Sequence, residues 1–292
     1  MVSSIENKDF PGLYQSADAT SLIMQKRYFG SMLWYILTLF AAAFFAFFNN
    51  EPEPSLKIIS AILFLISLSL MVWQKVTKPE DLWYNGRAVA ESVKTRTWRF
   101  IMKATPYEAG DESATQRFIA DLKEILKENE NLISKLGSKT AVKEPISQPM
   151  KDIRLLNLEE RLNFYKQHRI EDQQIWYTKK AIYNKNCGDR LFWVIVVLHA
   201  IAIFFLLINI KEPSVRFPIS VIGVAASSAL TWFQAKKYSE LFSSYTLTAH
   251  EISIIKSEGN VIANEQQLSE YIINCETAFS REHTQWVARK RR

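Results

Sequence analysis

Hydrophobic residues gather in four long stretches of this chain, and charged residues are almost absent from them. The stretches cover residues 29–48, 57–73, 191–210 and 218–233. A helix rises about 1.5 Å per residue, so the longer stretches would cross the roughly 30 Å hydrocarbon core of a bilayer. The second stretch is short, so it would need flanking lysines that reach the headgroups, or a locally thinner bilayer. The pattern predicts an all-α membrane protein with four transmembrane helices.

The four stretches form two pairs that repeat each other at an offset of 160 residues without a gap. The identities between polar residues are the strongest evidence for the repeat, because polar residues are scarce in these stretches. They pair Asn49 with Asn209, Ser60 with Ser220, Ser67 with Ser227, and Gln74 with Gln234. A repeat of this kind indicates one structural unit used twice. We therefore expect two repeated hairpins, each made of two membrane-spanning helices.

The connections and the charges around the stretches predict the topology. Two prolines within residues 49–56 end any helix between the first two stretches. Positive residues lie at the opposite ends of that hairpin, at Lys26, Arg27, Lys75 and Lys78. Because positive residues stay on the cytoplasmic side, both ends of each hairpin and both termini should be cytoplasmic.

The polar segments divide the chain into two modules with a helical cytosolic region. Residues 1–28 form a cytosolic lead-in, and residues 29–136 form the first module with its hairpin and cytosolic helices. Residues 137–150 form a polar linker that contains two prolines. Residues 151–292 form the second module, with its own hairpin and the C-terminal helices.

Polar side chains at candidate helix starts predict where three helices begin. Asp18 should cap the helix that runs into the membrane. Asp111 or Ser113 should cap the next amphipathic helix, and Asn264 with Gln267 resembles a capping arrangement for the final helix. The apolar spacing of that final helix predicts a buried side made of Leu268, Ile272, Cys275, Phe279 and Trp286.

Composition excludes several classes of protein. The chain has 36 Lys and Arg against 30 Asp and Glu, so its net charge of +6 is mild. Positive-inside topology accounts for the basic residues, and we expect no nucleic-acid partner. Cys187 and Cys275 form no C-x-x-C pair, which argues against a zinc site and against a disulfide scaffold. The polar first 28 residues do not resemble a cleaved signal peptide.

The most distinctive polar pattern follows the first hairpin, within residues 83–103. Aromatic and charged residues recur there at intervals of three and four, which places them along one helix face. Glu251 lies at the 160-residue offset from Glu91, so the repeat continues beyond the membrane. We predict a packed, polar cytosolic interface, with a plain surface helix and a ligand site as the alternatives. Its residues are Trp83, Tyr84, Arg87, Glu91, Lys94, Trp98 and Glu251.

Polar residues within the hydrophobic stretches are the other candidates for function. Side chains seven positions apart share one face of a helix. Such a face either lines a pore in an oligomer or allows helices to pack closely. His199 is the ionisable residue at membrane depth, and it is either functional or a partner in one hydrogen bond between helices. The pore-lining candidates are Ser60, Ser67, Gln74, His199, Ser220, Ser227, Thr231 and Gln234.

No catalytic constellation is visible in the sequence. It contains no phosphate-binding loop, no dinucleotide fingerprint and no nucleophile elbow. His250 and Glu251 begin like a zinc-protease motif, but Ile254 stands where the second histidine is required. The four histidines show no metal-ligand spacing. We therefore expect no enzymatic activity, no catalytic residue, no metal and no cofactor.

With these residues in view, the chain resembles the SLATT family, the SMODS- and SLOG-associating two-transmembrane-helix effector domains of bacteria. The resemblance rests on a predicted transmembrane hairpin followed by the motif Trp83-Tyr84-x-x-Arg87-Ala88-x-Ala90-Glu91-Ser92-x-Lys94-Thr95-x-x-Trp98-Arg99. The segment Ser280-Arg281-Glu282-His283-Thr284-x-Trp286 looks like the tail of a second such module. The likeness covers most of the chain outside residues 1–20 and 137–150, and it implies two fused modules.

The resemblance implies an effector of an antiphage or nucleotide-signalled conflict system. Such effectors are expected to sit among the lipids of the bacterial inner membrane, to form homo-oligomers and to permeabilise the membrane. A soluble sensor or nucleotide-signalling partner would activate them. The alternative is a membrane-anchored interaction module that recruits a soluble sensor or enzyme to the inner face. A transporter is the weakest hypothesis, because four spans without an intramembrane carboxylate or a broken helix offer a substrate no site.

Overall fold

The structure is a computed structural model that describes residues 4–48, 55–133 and 143–290, apart from the side chains of residues 131, 133 and 281–290. The predicted turn at 49–56 and the predicted linker at 137–150 lie partly outside these ranges. The side chain of Trp286 also lies outside them. Across the described ranges nearly every residue is helical and no strand is present, so the expectation of an all-helical chain is confirmed.

The described residues form eleven α-helices, and a π-helical turn at Lys166–Ile170 joins the seventh to the eighth. The helices are α1 (Gly12–Phe47), α2 (Ser55–Thr77), α3 (Pro79–Ile101), α4 (Asp111–Glu128), α5 (Glu130–Ile133), α6 (Gln148–Leu155), α7 (Leu158–Tyr165), α8 (Glu171–Lys211), α9 (Ile219–Lys236), α10 (Tyr238–Glu258) and α11 (Glu265–Lys290).

Three long helical segments are apolar enough to cross a membrane, namely Gly12–Phe47, Ser55–Ile101 and Leu158–Lys211. They cover the first three predicted stretches apart from residue 48, and few residues of the most apolar part of each segment are buried. Such exposure is costly in water but favourable in lipid. The fourth predicted stretch lies in α9, which is not among these three. Helix α9 has 18 residues and ends on the polar sequence Gln234-Ala235-Lys236, which lowers its average hydropathy. Its crossing of the membrane stays a prediction.

Two of the three predicted helix caps are wrong. Asp18 lies inside α1, because that helix already begins at Gly12, directly after Pro11. Proline near the first turn favours a helix start, since no intrahelical hydrogen bond is lost there. In α4 the N-cap is Gly110, so neither Asp111 nor Ser113 occupies the capping position.

The third cap is confirmed, at the start of α11. The backbone N–H of Gln267 donates to Oδ1 of Asn264 at 2.9 Å. In return, the side-chain Oε1 of Gln267 accepts from the backbone N–H of Ala263 at 2.8 Å. Two backbone donors at the helix start are thereby satisfied, as in a capping box shifted by one residue.

The chain folds into two compact units that each collect segments distant in sequence. Unit 1 consists of Met1–Met24, Glu80–Ala181 and Ser243–Arg292. Unit 2 consists of Gln25–Pro79 and Ile182–Phe242, and therefore contains all four predicted membrane stretches. Each unit draws on both predicted modules.

In unit 1, two buried arginines close the C-terminal end of α3. The last carbonyls of a helix have no partner within the helix. Arg154 donates to the carbonyl of Phe100 at 2.5 Å, and Arg161 donates to that of Met102 at 2.7 Å. Arg154 also pairs with Asp111 at 2.9 Å. Because cations are favourable at a helix C-terminus, these two side chains stabilise α3 and hold α6 and α7 against it.

Candidate functional sites

A fully buried ion pair lies in the core of unit 1. Arg169, in the π-helical turn, donates to both carboxylate oxygens of Glu276 on α11, at 2.9 and 2.8 Å. The hydroxyls of Tyr165 and Thr95 donate to the same carboxylate at 2.9 and 3.0 Å. We call these four residues the Glu276 clamp. Since its carboxylate already accepts four hydrogen bonds, the clamp is suited to hold helices together rather than to act as a base.

Aromatic rings surround the charge of Arg169. Its guanidinium carbon lies 4.9 Å from the ring centroid of Phe279 and 5.8 Å from that of Trp98. The ring of Tyr165 packs against Trp98 at 5.5 Å. Burial alone would lower the pKa of Arg169, but the charge of Glu276 and its hydrogen bonds raise that pKa on balance. The guanidinium therefore stays charged within the core, where cation–π contacts add to the ion pair.

Two further charged residues belong to the surroundings of the clamp. Burial lowers the pKa of Lys94, the nearby charge of Arg169 lowers it further, and Glu91, Glu276 and Asp18 oppose the shift. Burial also raises the pKa of Asp18, against the effect of Lys94. Both shifts disfavour the charged forms, because desolvation outweighs the attraction between opposite charges.

The predicted cytosolic interface lies within unit 1. Trp83 and Trp98 are buried side chains, at 8% and 2% exposure. Tyr84 stacks on Trp83 with ring centroids 4.3 Å apart. Arg87, Glu91, Lys94 and Glu251 are half-buried. The aromatic and charged residues of this interface on α3, which we call the α3 ladder, therefore contribute to the packing of the unit itself. Their contact with a separate partner stays a prediction.

Gly86 explains how α3 approaches α1 so closely. A Cβ atom at Gly86 would lie 3.1 Å from the carbonyl oxygen of Ala17 and 3.3 Å from the Cβ of Ser21. Both distances are tighter than ordinary van der Waals contacts, so a side chain here would push the helices apart. Gly86 thus allows the side chains of the α3 ladder to reach the core.

Sequence reasoning missed Arg169 and Glu276. Both lie on helices with apolar spacing, but nothing local separates a buried arginine from an exposed one. The two are 107 positions apart, so their pairing exists only in the folded chain. The one available signal was indirect: Glu276 stands next to Cys275, on the side of α11 predicted to be buried.

In unit 2, the first set of predicted pore-lining residues is covered by a neighbouring helix. Ser60 Oγ donates to the carbonyl of Ala42 at 2.8 Å, and Gln74 Nε2 donates to Ser31 Oγ at 2.9 Å. Residue numbers run in opposite directions along the two helices, so α1 and α2 pack antiparallel. Ser60 and Ser67 are 5% and 4% exposed. In the single chain this set acts in helix packing.

The second set faces outward instead. Ser220, Ser227, Thr231 and Gln234 on α9 are all exposed. Thr231 Oγ1 donates to the carbonyl of Ser227 one turn earlier, at 2.8 Å. In the described part of the chain, the side chains of Ser220, Ser227 and Gln234 have no hydrogen-bond partner. The two sets, equivalent in sequence, therefore occupy different environments.

The ends of the two helices are out of step with the 160-residue repeat by one residue. A left-handed residue follows α2 at Lys78 (φ 45°) and another follows α9 at Lys237 (φ 53°). Lys237 stands one position short of the 160-residue offset from Lys78. One residue turns a helix face by about 100°. The buried residues of α9 are Val221, Ala226 and Ser228, and none of them lies at the 160-residue offset from Ser60, Ser67 or Gln74.

His199 lies on the exposed side of α8. Its Nδ1 is 2.8 Å from the carbonyl oxygen of Ile195 in the preceding turn, so the bond is local to the helix. Its role at the membrane stays a prediction. Within the described residues, no three His, Cys, Asp or Glu side chains come together in an arrangement that could hold a metal ion.

Comparison with protein-family models gives two matches, one for each half of the chain. Residues 11–162 match SMODS and SLOG-associating 2TM effector domain 3. Residues 165–286 match SMODS and SLOG-associating 2TM effector domain 1. No curated protein and no solved structure matches the chain. The Glu276 clamp joins the two matched regions, since Thr95 belongs to the first and the other three residues belong to the second.

Proposed function

The chain belongs to the SLATT family as a tandem of two SLATT domains, and we propose that it is a bacterial inner-membrane effector that oligomerises and permeabilises the membrane. The family is associated by description with SMODS and SLOG proteins. The proposal places this effector in an antiphage or nucleotide-signalled conflict system, where a soluble sensor or nucleotide-signalling partner activates it.

Four membrane crossings, arranged as two hairpins with both termini cytoplasmic, form the proposed topology. Unit 1 supports it, because a compact unit must lie on one side of a bilayer. Its three segments, Met1–Met24, Glu80–Ala181 and Ser243–Arg292, are separated by residues 25–79 and 182–242. Each separating segment must therefore cross the membrane an even number of times. If α8 crosses it, a return crossing is needed before Ser243, and α9 is the helix that supplies it.

The outward polar face of α9 is the observation that supports permeabilisation of the membrane most directly. A hydroxyl or amide group that faces hydrocarbon without a partner is unfavourable, so this face needs water or other protein around it. An oligomer that gathers α9 helices at its centre provides both. The first set, Ser60, Ser67 and Gln74, is already covered by α1, so we assign the contacts with water or with neighbouring copies to Ser220, Ser227, Thr231 and Gln234.

The first test is depolarisation of cells that express the chain at high level, followed with a potential-sensitive dye. We expect the native chain to depolarise the membrane, and Ser227→Leu to lower the ion leak about tenfold or more, because it replaces a hydroxyl in the polar face by a bulky apolar group. The matched control is Ser69→Leu. Ser69 is also an exposed serine, but it lies on α2 outside the predicted sets and hydrogen-bonds its own helix.

A native chain that reaches the membrane, forms oligomers and causes no leak would contradict this proposal. It would favour the alternative function, a membrane-anchored module that recruits a soluble sensor or enzyme. Exposed apolar side chains on unit 1 support that alternative, notably Leu155 at 70%, Ile254 at 65% and Val261 at 79% exposure. Polar substitutions at these three positions would then abolish partner capture, with no change in the membrane potential.

A further inference from the structure

The exposed polar side of α9 has the spacing of a helix-packing surface. Ser220, Gly223, Ser227, Thr231 and Gln234 are exposed and follow one another at intervals of three and four. We call these five residues the α9 face. Gly223, Ser227 and Thr231 are small residues four apart, a spacing that lets two membrane helices approach closely. A Cβ atom added at Gly223 would meet nothing within 4 Å, so the chain itself does not use this space.

The internal repeat shows what covers such a surface. In the first copy, Ser60 and Gln74 hydrogen-bond a neighbouring helix through Ala42 and Ser31. That contact buries Ser67 as well. In the second copy, the corresponding residues Ser220, Ser227 and Gln234 are exposed. The same side-chain types, at the same spacing, are thus left without the helix that covers them in the first copy.

The chemistry of the α9 face selects its partner. Serine and threonine hydroxyls and the glutamine amide each both donate and accept hydrogen bonds, so the face is complementary to itself. It carries no charge between Ile219 and Gln234, so two copies do not repel each other there. A two-fold contact between identical surfaces meets these conditions.

We propose that the α9 face binds the α9 face of a second copy of this chain within the membrane. The inference rests on the proposed function for the placement of α9 in the bilayer, and it names the surface through which the proposed oligomer forms. Gly223 and Ser227 lie at the closest approach. Ser220 and Gln234, nearer the helix ends, line the space that remains between copies.

The decisive variant is Gly223→Leu, tested by co-purification of two differently tagged copies from the membrane. The leucine enters open space in its own chain, so the monomer folds, but it separates two α9 helices. We expect co-purification to fall at least tenfold. Gly30→Leu is the matched control, because Gly30 also lies within a helix of unit 2 and a Cβ there also meets nothing within 4 Å. Equal co-purification of the two variants would overturn the proposal.

Cysteine cross-linking gives a second readout that does not depend on a bulky side chain. With Cys187 replaced by alanine, Ser227→Cys should form a disulfide-linked dimer under mild oxidation. Ser69→Cys, on an exposed part of α2, should not. Absence of the Ser227→Cys dimer, or equal dimer from both variants, would overturn the contact. A dimer without ion leak retains the contact and contradicts permeabilisation. Ion leak without the dimer contradicts the contact and is consistent with permeabilisation.

Discussion

Glu276 is a buried residue through which the two SLATT domains contact each other. Its carboxylate accepts hydrogen bonds from Thr95 in the first domain and from Arg169 and Tyr165 in the second. The same chemistry recurs at Arg154 and Arg161, whose guanidinium groups hold the end of α3. Buried charges are tolerated here because every one of them has a charged or carbonyl partner. Removal of one partner leaves the other charge buried and alone.

The substitution Glu276→Gln tests this dependence at constant side-chain shape. It leaves Arg169 charged and unpaired in the core, and loss of one partner of a buried pair costs about 3–5 kcal/mol. We expect the free energy of unfolding of the detergent-solubilised chain, measured with denaturant, to fall by about that amount. Glu270→Gln, on the exposed side of the same helix, should change it by less than about 0.5 kcal/mol. Equal losses would show that the clamp has no special role.

At the scale of elements, α11 is the helix whose form and burial follow most directly from its sequence. The predicted cap at Asn264 is present, and four of the five residues predicted to be buried are so, namely Leu268, Ile272, Cys275 and Phe279. Periodicity and capping are local properties, so they can be recognised before the fold is known. Helix α9 shows the opposite case, since nothing in its local sequence indicates that Ser220 and Ser227 face outward.

Loss of the cap of α11 should lower the stability of the protein by a modest amount. Asn264→Ala removes the acceptor for the backbone N–H of Gln267 and should lower the free energy of unfolding by about 1 kcal/mol. Asn264→Asp keeps an acceptor and places a negative charge at the helix N-terminus, where it is favourable, so it should retain the native stability. Thermal melting of the three proteins side by side checks this, and a loss of stability in the aspartate variant would contradict it.

For the whole molecule, the number of membrane crossings decides which segments can meet. Unit 1 combines the segments that lie before, between and after the two pairs of predicted membrane stretches. The Glu276 clamp requires the chain after α10 to return to the side of α3 and α7. Three crossings would leave α11 on the opposite side of the bilayer from Thr95. The contacts of unit 1 therefore favour an even number of crossings more directly than the hydropathy of α9 does.

Reporter fusions test the number of crossings. A fluorescent protein fused to the C-terminus should fold and fluoresce in the cytoplasm. An alkaline phosphatase inserted at Ser214, between α8 and α9, should be active outside it. We expect both signals, because four crossings place the termini inside and both short connections outside. A dark C-terminal fusion together with an active phosphatase would mean that α9 does not cross.

The sequence by itself determined the helical class, the long apolar stretches in α1, α2 and α8, the cap of α11 and the resemblance to SLATT domains. These features depend on residues within a few turns of one another, where hydropathy and spacing act directly. Only the tertiary structure decided that Arg169 pairs with Glu276, that the α3 ladder packs inside its own chain, and that one serine set is covered while the other faces outward. Those outcomes depend on contacts between residues far apart in the chain, which hydropathy and spacing within one helix do not specify.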